Sequence, residues 1–310
     1  MQPNDHVVVT AADQSYASFL KGLVRSIRDG EQRSNVARPV PIKVLDLGLE
    51  QATIAELSGH CEFVSVTEPP FPIRRDDHSR PLLLSRAVRP FLPRYIPGFQ
   101  VYTWLDADTW VQDVSCLAEL RHGALGSGLS VVPALDRCYT SLYDKHSEHY
   151  RWMQPIIEQT FGQTVAEDLE FRPLLNSGVF SATSASPLWE RFGKAVEQVF
   201  AKSSLIRDQP AFNVAIYHGG VRFYPLPAKY NWLCLHCLPR LDVARWILTA
   251  PGLPHEDLLI VHLTRRHLDR TVPMPCSDGR DRSLRLDYLG LHAEAHRGGR
   301  PGALKPTGTR

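Results

Sequence analysis

The chain is short of the features that would place it outside ordinary globular proteins. Six cysteines in 310 residues are too few for a disulfide-dense secreted scaffold, so they read as reduced thiols. No apolar run approaches the roughly 18 residues of a membrane span. Residues 1–10 carry no basic segment followed by a long apolar stretch, so no signal peptide is expected and the expected location is the cytoplasm. Charge of one sign is nearly absent in net terms: 35 Lys and Arg against 33 Asp and Glu leave +2. That balance argues against nucleic acid as a partner and makes any anion site local. Internal repeats are missing too. What remains, 43% hydrophobic and 22% charged residues, is close to the globular average.

Length allows one large domain or two ordinary ones, at about 100–200 residues each. The order of apolar patterns decides the class. His6–Thr10 reads as a strand, followed by a helical pattern through Tyr16, Phe19, Leu20, Leu23, Val24 and Ile27. A strand over 41–47, a short helix over 51–57, a strand over 61–66, a helix over 82–92 and a strand over 100–105 follow. This alternation predicts an α/β protein with a sheet flanked by helices. Further strands are expected at 129–133, 178–182, 221–225 and 258–263, and helices near 151–161, 187–202 and 210–217. Beyond about Arg270 the chain turns to Arg, Gly, Pro and Asp, a composition expected to leave a mobile tail over 271–310.

The strand over 100–105 runs straight into Asp106-Ala-Asp108, the usual place for a ligand site in an open α/β sheet. In extended backbone, residues i and i+2 project to one face about 6 to 7 Å apart, so both carboxylates can reach one divalent cation. Hard oxygen ligands suit Mg²⁺ or Mn²⁺.

From this triplet outward the chain resembles the retaining glycosyltransferases of family 8, a group with the GT-A fold that includes lipopolysaccharide galactosyl- and glucosyltransferases and is related to glycogenin. Val7 to Tyr16 is similar to the family's first strand with its Ala-Asp-x-x-Tyr element, covering Ala11, Asp13 and Tyr16. Arg89 stands where the family's donor-contacting Arg lies. Trp104-Leu-Asp106-Ala107-Asp108-Thr matches the metal motif. Asn176-Ser-Gly178 is similar to the segment near the donor sugar, and Asp208-Gln209, with Asn213 four residues on, to the element beside the reacting carbon. His262 is placed like the late metal-binding His.

The likeness spans roughly residues 5–265 and rests on the ordered set of motifs. It implies a GT-A fold, a Rossmann-like mixed sheet in a single large domain over 1–270. The nucleotide-binding half would be 1–115 and the acceptor-side half 116–270. It further implies Mn²⁺ or Mg²⁺ held by Asp106, Asp108 and His262, and a UDP-sugar as donor. Asp13 and Tyr16 would read the uracil, and Asn176, Asp208 and Gln209 would act at the sugar. The partners implied are a UDP-hexose and a saccharide, lipid-linked or protein acceptor, with peripheral membrane contact possible. One departure stands out: the family's His is followed by Gly and then Lys-Pro-Trp, whereas His262 precedes Leu-Thr-Arg265-Arg266-His. Arg265 or Arg266 would then supply the charge for the diphosphate.

Plainer readings exist for each residue alone. Asp13 suits a helix cap, Tyr16 a core position and His262 a hydrogen-bonded strand end. Asn176 and Gly178 suit a turn, and Asp208-Gln209-Pro210 a helix start. Cys234-Leu-His-Cys237 has the spacing of half a zinc site, without a second pair. Two other functions fit parts of the pattern. A haloacid-dehalogenase-type phosphatase would use Asp106 as nucleophile and Asp108 as acid and base. A non-catalytic nucleotide-sugar-binding module would keep the fold without turnover.

Overall fold

The computed structural model describes residues 5–66, 68–73, 80–143, 148–203, 206–264 and 270–297. Its centre is a seven-stranded sheet in the order β3-β2-β1-β4-β7-β6-β8. The strands are β1 (His6–Ala12), β2 (Ile42–Asp46), β3 (Glu62–Ser65), β4 (Val101–Leu105), β6 (Leu129–Pro133), β7 (Leu175–Thr183) and β8 (Tyr224–Pro225). β3, β2, β1 and β4 run parallel; β7 lies antiparallel to both β4 and β6. β7 comes from the second half of the chain and pairs directly with β4 from the first, so both halves share one sheet.

Helices cover both faces, which is why β1 is buried along its whole length and β4 likewise. Along the chain they are α1 (Ala17–Arg33), α2 (Gln51–Leu57), α3 (Arg80–Val88), α4 (Leu92–Tyr95), α5 (Ser115–Ser127), α6 (Glu148–Phe161), α7 (Gln163–Glu170), α8 (Leu188–Lys202), α9 (Asp208–Tyr217) and α10 (Tyr288–Arg297). Leu20, Leu23, Val24 and Ile27 form the buried stripe of α1 at three- and four-residue spacing. Gly128 ends α5 in the left-handed region, φ 84°, with its N–H on the Ala124 carbonyl at 2.7 Å. The helix expected over 82–92 stops at Val88 and becomes a 3-10 turn over Arg89–Phe91. Pro90 lacks the amide proton an α-helix needs there, and Pro93 follows.

A smaller sheet sets the site. β5 (Thr109–Val111) and β9 (Trp232–Leu233) flank β12 (Ile260–His262). β12 is antiparallel to β5, with His262 opposite Thr109, and parallel to β9. β10 (Arg240–Asp242) and β11 (Ile247–Thr249) make a hairpin beside it.

Residues 271–297, part of the stretch expected from composition to be mobile, instead form a hairpin of β13 (Thr271–Pro275) and β14 (Asp281–Arg285) followed by α10. Met274, Leu284, Leu286, Tyr288 and Leu291 are buried there. Trp110 donates to the Leu286 carbonyl at 2.9 Å, and the Tyr288 hydroxyl donates to Asp29 at 2.6 Å. A handful of apolar anchors is enough because they join a core that already exists. Residues 298–310 lie outside the described residues. Among the described residues no helix is long and apolar enough to cross a membrane.

The end of the sheet away from β4's acidic tip carries a buried histidine. His6 Nε2 is 2.7 Å from Thr103 Oγ1, which in turn hydrogen-bonds the Ser181 hydroxyl across β4 and β7. Burial, helped by the charge of Arg121, lowers the His6 pKa from 6.5 to about 4. Since the folded value lies below the unfolded one, the unfolded chain takes up the proton first as pH falls. Stability from this group is complete above pH 6.5 and is lost on going down toward pH 4. The loss is on the order of 3 kcal/mol. Thermal melts of wild type and His6→Gln between pH 7 and pH 4 check this: the wild type should fall more steeply, and equal slopes would refute it.

Candidate active site

The site begins where β4 ends. After Leu105 the chain turns through Asp106-Ala107-Asp108, and the turn is pinned from both sides. Asp106 N–H donates to the Gly178 carbonyl at 2.8 Å, and Thr109 N–H and Oγ1 donate to the Asp106 carbonyl at 2.9 and 2.7 Å. β5 then pairs with β12, and Leu263 N–H bonds the Asp108 carbonyl at 3.0 Å. This register brings His262, 154 positions further on, against the acidic pair: Nε2 lies 3.4 Å from Asp108 Oδ1 and 3.7 Å from Asp106 Oδ2. One ligand atom from each of the three residues falls within 4.8 Å of the other two.

Gly178 makes this convergence possible. A Cβ there would stand 2.4 Å from His262 Cε1, 2.6 Å from Asp106 Oδ2 and 2.8 Å from Asn176 Oδ1. Its role is close approach, since the space a side chain needs is taken by the ligands themselves.

The polarity of the surrounding amides follows from one backbone donor. Gly178 N–H points at Asn176 at 2.9 Å, so the atom facing it must be the carbonyl oxygen. Asn231, 3.0 Å from that oxygen, must face it with its NH₂ and so turns its own oxygen to His262 Nδ1 at 2.9 Å. Nδ1 therefore carries a proton, leaving Nε2 as the ring atom aimed at the two carboxylates. In the other direction Asn176 donates its NH₂ to Gln209 Oε1 at 3.0 Å. Three electron-pair donors, two oxygens and a nitrogen, thus converge with the outer nitrogen of the histidine anchored, the arrangement expected around a cation. Removing the anchor by Asn231→Leu should weaken Mn²⁺ binding by about 10- to 100-fold. Manganese titration against wild type checks this, and unchanged affinity would show that Asn231 does not orient His262.

Arg89 completes the centre. It is 8% exposed and bridges two acids, Asp106 Oδ1 at 2.5 Å and Asp208 Oδ2 at 2.7 Å, while Ser177 Oγ accepts from it at 2.9 Å and donates to Asp208 at 2.9 Å. Its Cζ stacks 4.9 Å from the Trp104 ring centroid. Trp104 Nε1 also donates to Asp106 Oδ1 at 2.8 Å, so this carboxylate has one oxygen engaged and turns the other toward His262.

The electrostatics follow the packing. Burial raises the Asp106 pKa against the pull of Arg89 and His262. Asp108 is lowered, burial being outweighed chiefly by His262. His262 is raised, burial being outweighed chiefly by Asp108.

These groups open into one cavity of about 520 Å³. Ala11, Asp13, Tyr16, Arg89, Asp106, Ala107, Asp108, Asn176, Asp208, Gln209 and His262, all expected from the sequence, line it, and Gly178 sits beneath it. Arg265 and Arg266 lie outside the described residues. Asp13 precedes a 3-10 turn without capping it; its carboxylate accepts from Ser15 Oγ at 2.5 Å. Asp208 and Gln209 open α9, held by Asn213, whose side chain exchanges two hydrogen bonds with the Leu175 backbone and donates to the Gln209 carbonyl. Cys234 and Cys237 are free thiols, and among the described residues they join no cluster that could hold a metal. Asn231, Ser177 and Arg86 were not singled out from the sequence. Arg86 carried a usable signal, standing three positions before Arg89 on one helix face.

No protein-family model matches the chain, and no curated protein matches it. Solved structures do. An active-site Gln-to-Glu mutant of LgtC aligns with a TM-score of 0.50 at 17% identity, over 84% of this chain and 87% of that one. LgtC, described as a galactosyltransferase in complex with donor and acceptor sugar analogues, aligns at 0.49 and 16%, over 84% and 87%. The bifunctional glycosyltransferase WbbM without ligands aligns at 0.52 and 17%, over 74% of this chain and 40% of that one. At such identities the likeness is one of fold. The chain has the mixed-sheet GT-A arrangement of LgtC, as the sequence motifs implied.

Proposed function

We propose that the protein is a metal-dependent glycosyltransferase that moves a hexose from a UDP-sugar to an acceptor hydroxyl with retention of configuration. The observation that carries this reading is the Asp106–Asp108–His262 convergence at the tip of β4, in one cavity with Asn176, Asp208 and Gln209. Two carboxylate oxygens with one imidazole nitrogen fit Mn²⁺, or Mg²⁺ less well because of the nitrogen. When bound, such an ion supplies positive charge for a departing diphosphate.

The chain's own groups do the rest. Tyr16 offers a ring face and Asp13 a carboxylate to the base at the β1 end. Arg89 holds Asp106 and Asp208 in fixed positions, so the polar wall is set before substrate arrives. The relay from Gly178 through Asn176 occupies the Gln209 carbonyl oxygen and leaves its NH₂ as the group able to donate to a sugar hydroxyl. Asp208 has one oxygen engaged by Arg89 and Ser177; its negative charge would steady positive charge at an anomeric carbon. In a retaining reaction the acceptor approaches from the face the diphosphate leaves, which asks these residues for positioning and not for a covalent bond. The phosphatase alternative draws no support from a carboxylate at position 106 that already accepts from Arg89 and Trp104.

Hydrolysis of UDP-glucose and UDP-galactose with and without Mn²⁺, beside a generic aryl phosphate, tests the reading. Manganese-dependent release of UDP is expected. Aryl phosphate cleavage alone would favour the phosphatase, and binding of UDP-sugars with no turnover, with or without added saccharides, the non-catalytic module.

A further inference from the structure

The residues assigned above use the Asp106 end of the cavity and the Asp208–Gln209 step. Two cations in the same cavity are left over. Arg86, in the last turn of α3 and three residues before Arg89, donates through Nη1 to the carbonyl of Ile206. Arg207, the next residue after Ile206, lays its guanidinium over Trp152, with Cζ 5.0 Å from the ring centroid. Arg86, Arg207 and Trp152 all line the cavity. Among the described residues neither arginine has a carboxylate partner. Asp208 is near, and one of its two oxygens is already taken by Arg89 and Ser177.

A guanidinium has five N–H donors, and Arg86 spends one of them on a carbonyl. It is partly buried, and burial holds its pKa below the ordinary arginine range, against the pull of Asp208 and with Arg207 and Arg89 pushing the same way as burial. A desolvated cation without a counter-ion is costly, and that cost is removed when a ligand brings the anion. Arg207 is steadied by its stack on Trp152, so less side-chain freedom is lost on binding. Two guanidinium forks held this way match the oxygens of a carboxylate or a phosphate.

Their place in the cavity says which substrate would carry it. Arg89 ties Asp208 to Asp106 of the acidic pair, and Ile206 and Arg207 directly precede Asp208 in the chain. We infer that Arg86 and Arg207 form an anion subsite beyond the sugar-transfer step, which takes a carboxylate or phosphate substituent of the acceptor saccharide. The word acceptor rests on the transferase reading; the anion subsite does not.

The test is calorimetric titration of galacturonate and glucose 6-phosphate, with galactose and glucose as neutral partners, into protein saturated with UDP and Mn²⁺. The anionic sugars should bind at least tenfold tighter. Arg86→Gln and Arg207→Gln should each reduce that preference by threefold or more and together abolish it, with UDP binding changed less than twofold. Arg86→Lys, which keeps a donor for the Ile206 carbonyl, separates loss of charge geometry from loss of folding. Equal binding of anionic and neutral sugars to wild type overturns the proposal, as does a preference that survives the double substitution, or displacement of UDP by the anion. A tenfold preference for UDP-galacturonate over UDP-galactose that vanishes in the double variant would place the anion on the donor and overturn the acceptor assignment. Should UDP fail to bind even with Mn²⁺, the transferase reading falls. The subsite then stands or falls on galacturonate against galactose in the ligand-free protein, by the same tenfold criterion.

Discussion

Gly178→Ala is expected to abolish manganese-dependent binding of UDP. The added methyl would stand 2.4 Å from His262 Cε1 and 2.6 Å from Asp106 Oδ2, well inside any van der Waals contact. Neither neighbour can yield cheaply. His262 is held at Nδ1 by Asn231 and by the β12 pairing with β5 and β9, and Asp106 is held by Arg89 and Trp104. The backbone of β7 is also fixed between β4 and β6. Overpacking of this kind costs about 1–3 kcal/mol. In a chain of this size that corresponds to a drop of several degrees in melting temperature, at roughly 2–4 °C per kcal/mol. The fold should therefore survive while the ligand set is pushed apart. Melting curves with UDP and Mn²⁺ together, and with each alone, read both effects. Wild-type stabilisation by the pair in Gly178→Ala protein would mean that the three side chains do not act as one ligand set.

A glycine in a strand is a visible anomaly, yet nothing local to Asn176-Ser-Gly178 states that an imidazole from position 262 will come to rest against it. The same division runs through the whole molecule. β1, β4 and α1 were legible because their apolar residues are continuous or recur at helical spacing, and the acidic triplet was legible because it sits at the end of such a run. β5 and β9 have three and two residues, too few for any period to show, and they exist through pairing with β12, which falls within the strand expected over 258–263. Those short strands deliver His262 and Asn231. Asn231 carries no pattern of its own; its meaning arises only when β9 lies beside β12. The hairpin over 271–285 was hidden differently. Pro273, Pro275 and a run of arginines mask an alternation in which Met274, Cys276 and Leu284 are buried. Composition judged that segment by what it could bury unaided, whereas it packs on a core built by other residues.

Arg89→Met should cause the largest loss of stability. The guanidinium holds two carboxylates, Asp106 and Asp208, whose other cationic neighbour among the described residues is His262 beside Asp106, in a region where Arg89 itself is 8% and Asp208 6% exposed. Methionine fills much of the space over Trp104 but supplies no donor. Removing one member of a buried ionic group while leaving the others costs about 3–5 kcal/mol, because the remaining charges stay desolvated. Near 2–4 °C per kcal/mol, the melting temperature should fall by roughly 10 °C. The cause can be separated from lost packing by a second change. If unpaired charge is responsible, Arg89→Met combined with Asp208→Asn should be more stable than Arg89→Met alone, since the amide removes one of the stranded charges and can still accept from Ser177. Arg89→Lys should lie between, because a single ammonium keeps the charge but cannot span both acids as a planar fork does. A melting temperature for Arg89→Met within a degree or two of wild type, or a double variant weaker than the single one by the full cost of Asp208→Asn, would show that the bridge is not what holds these acids in place.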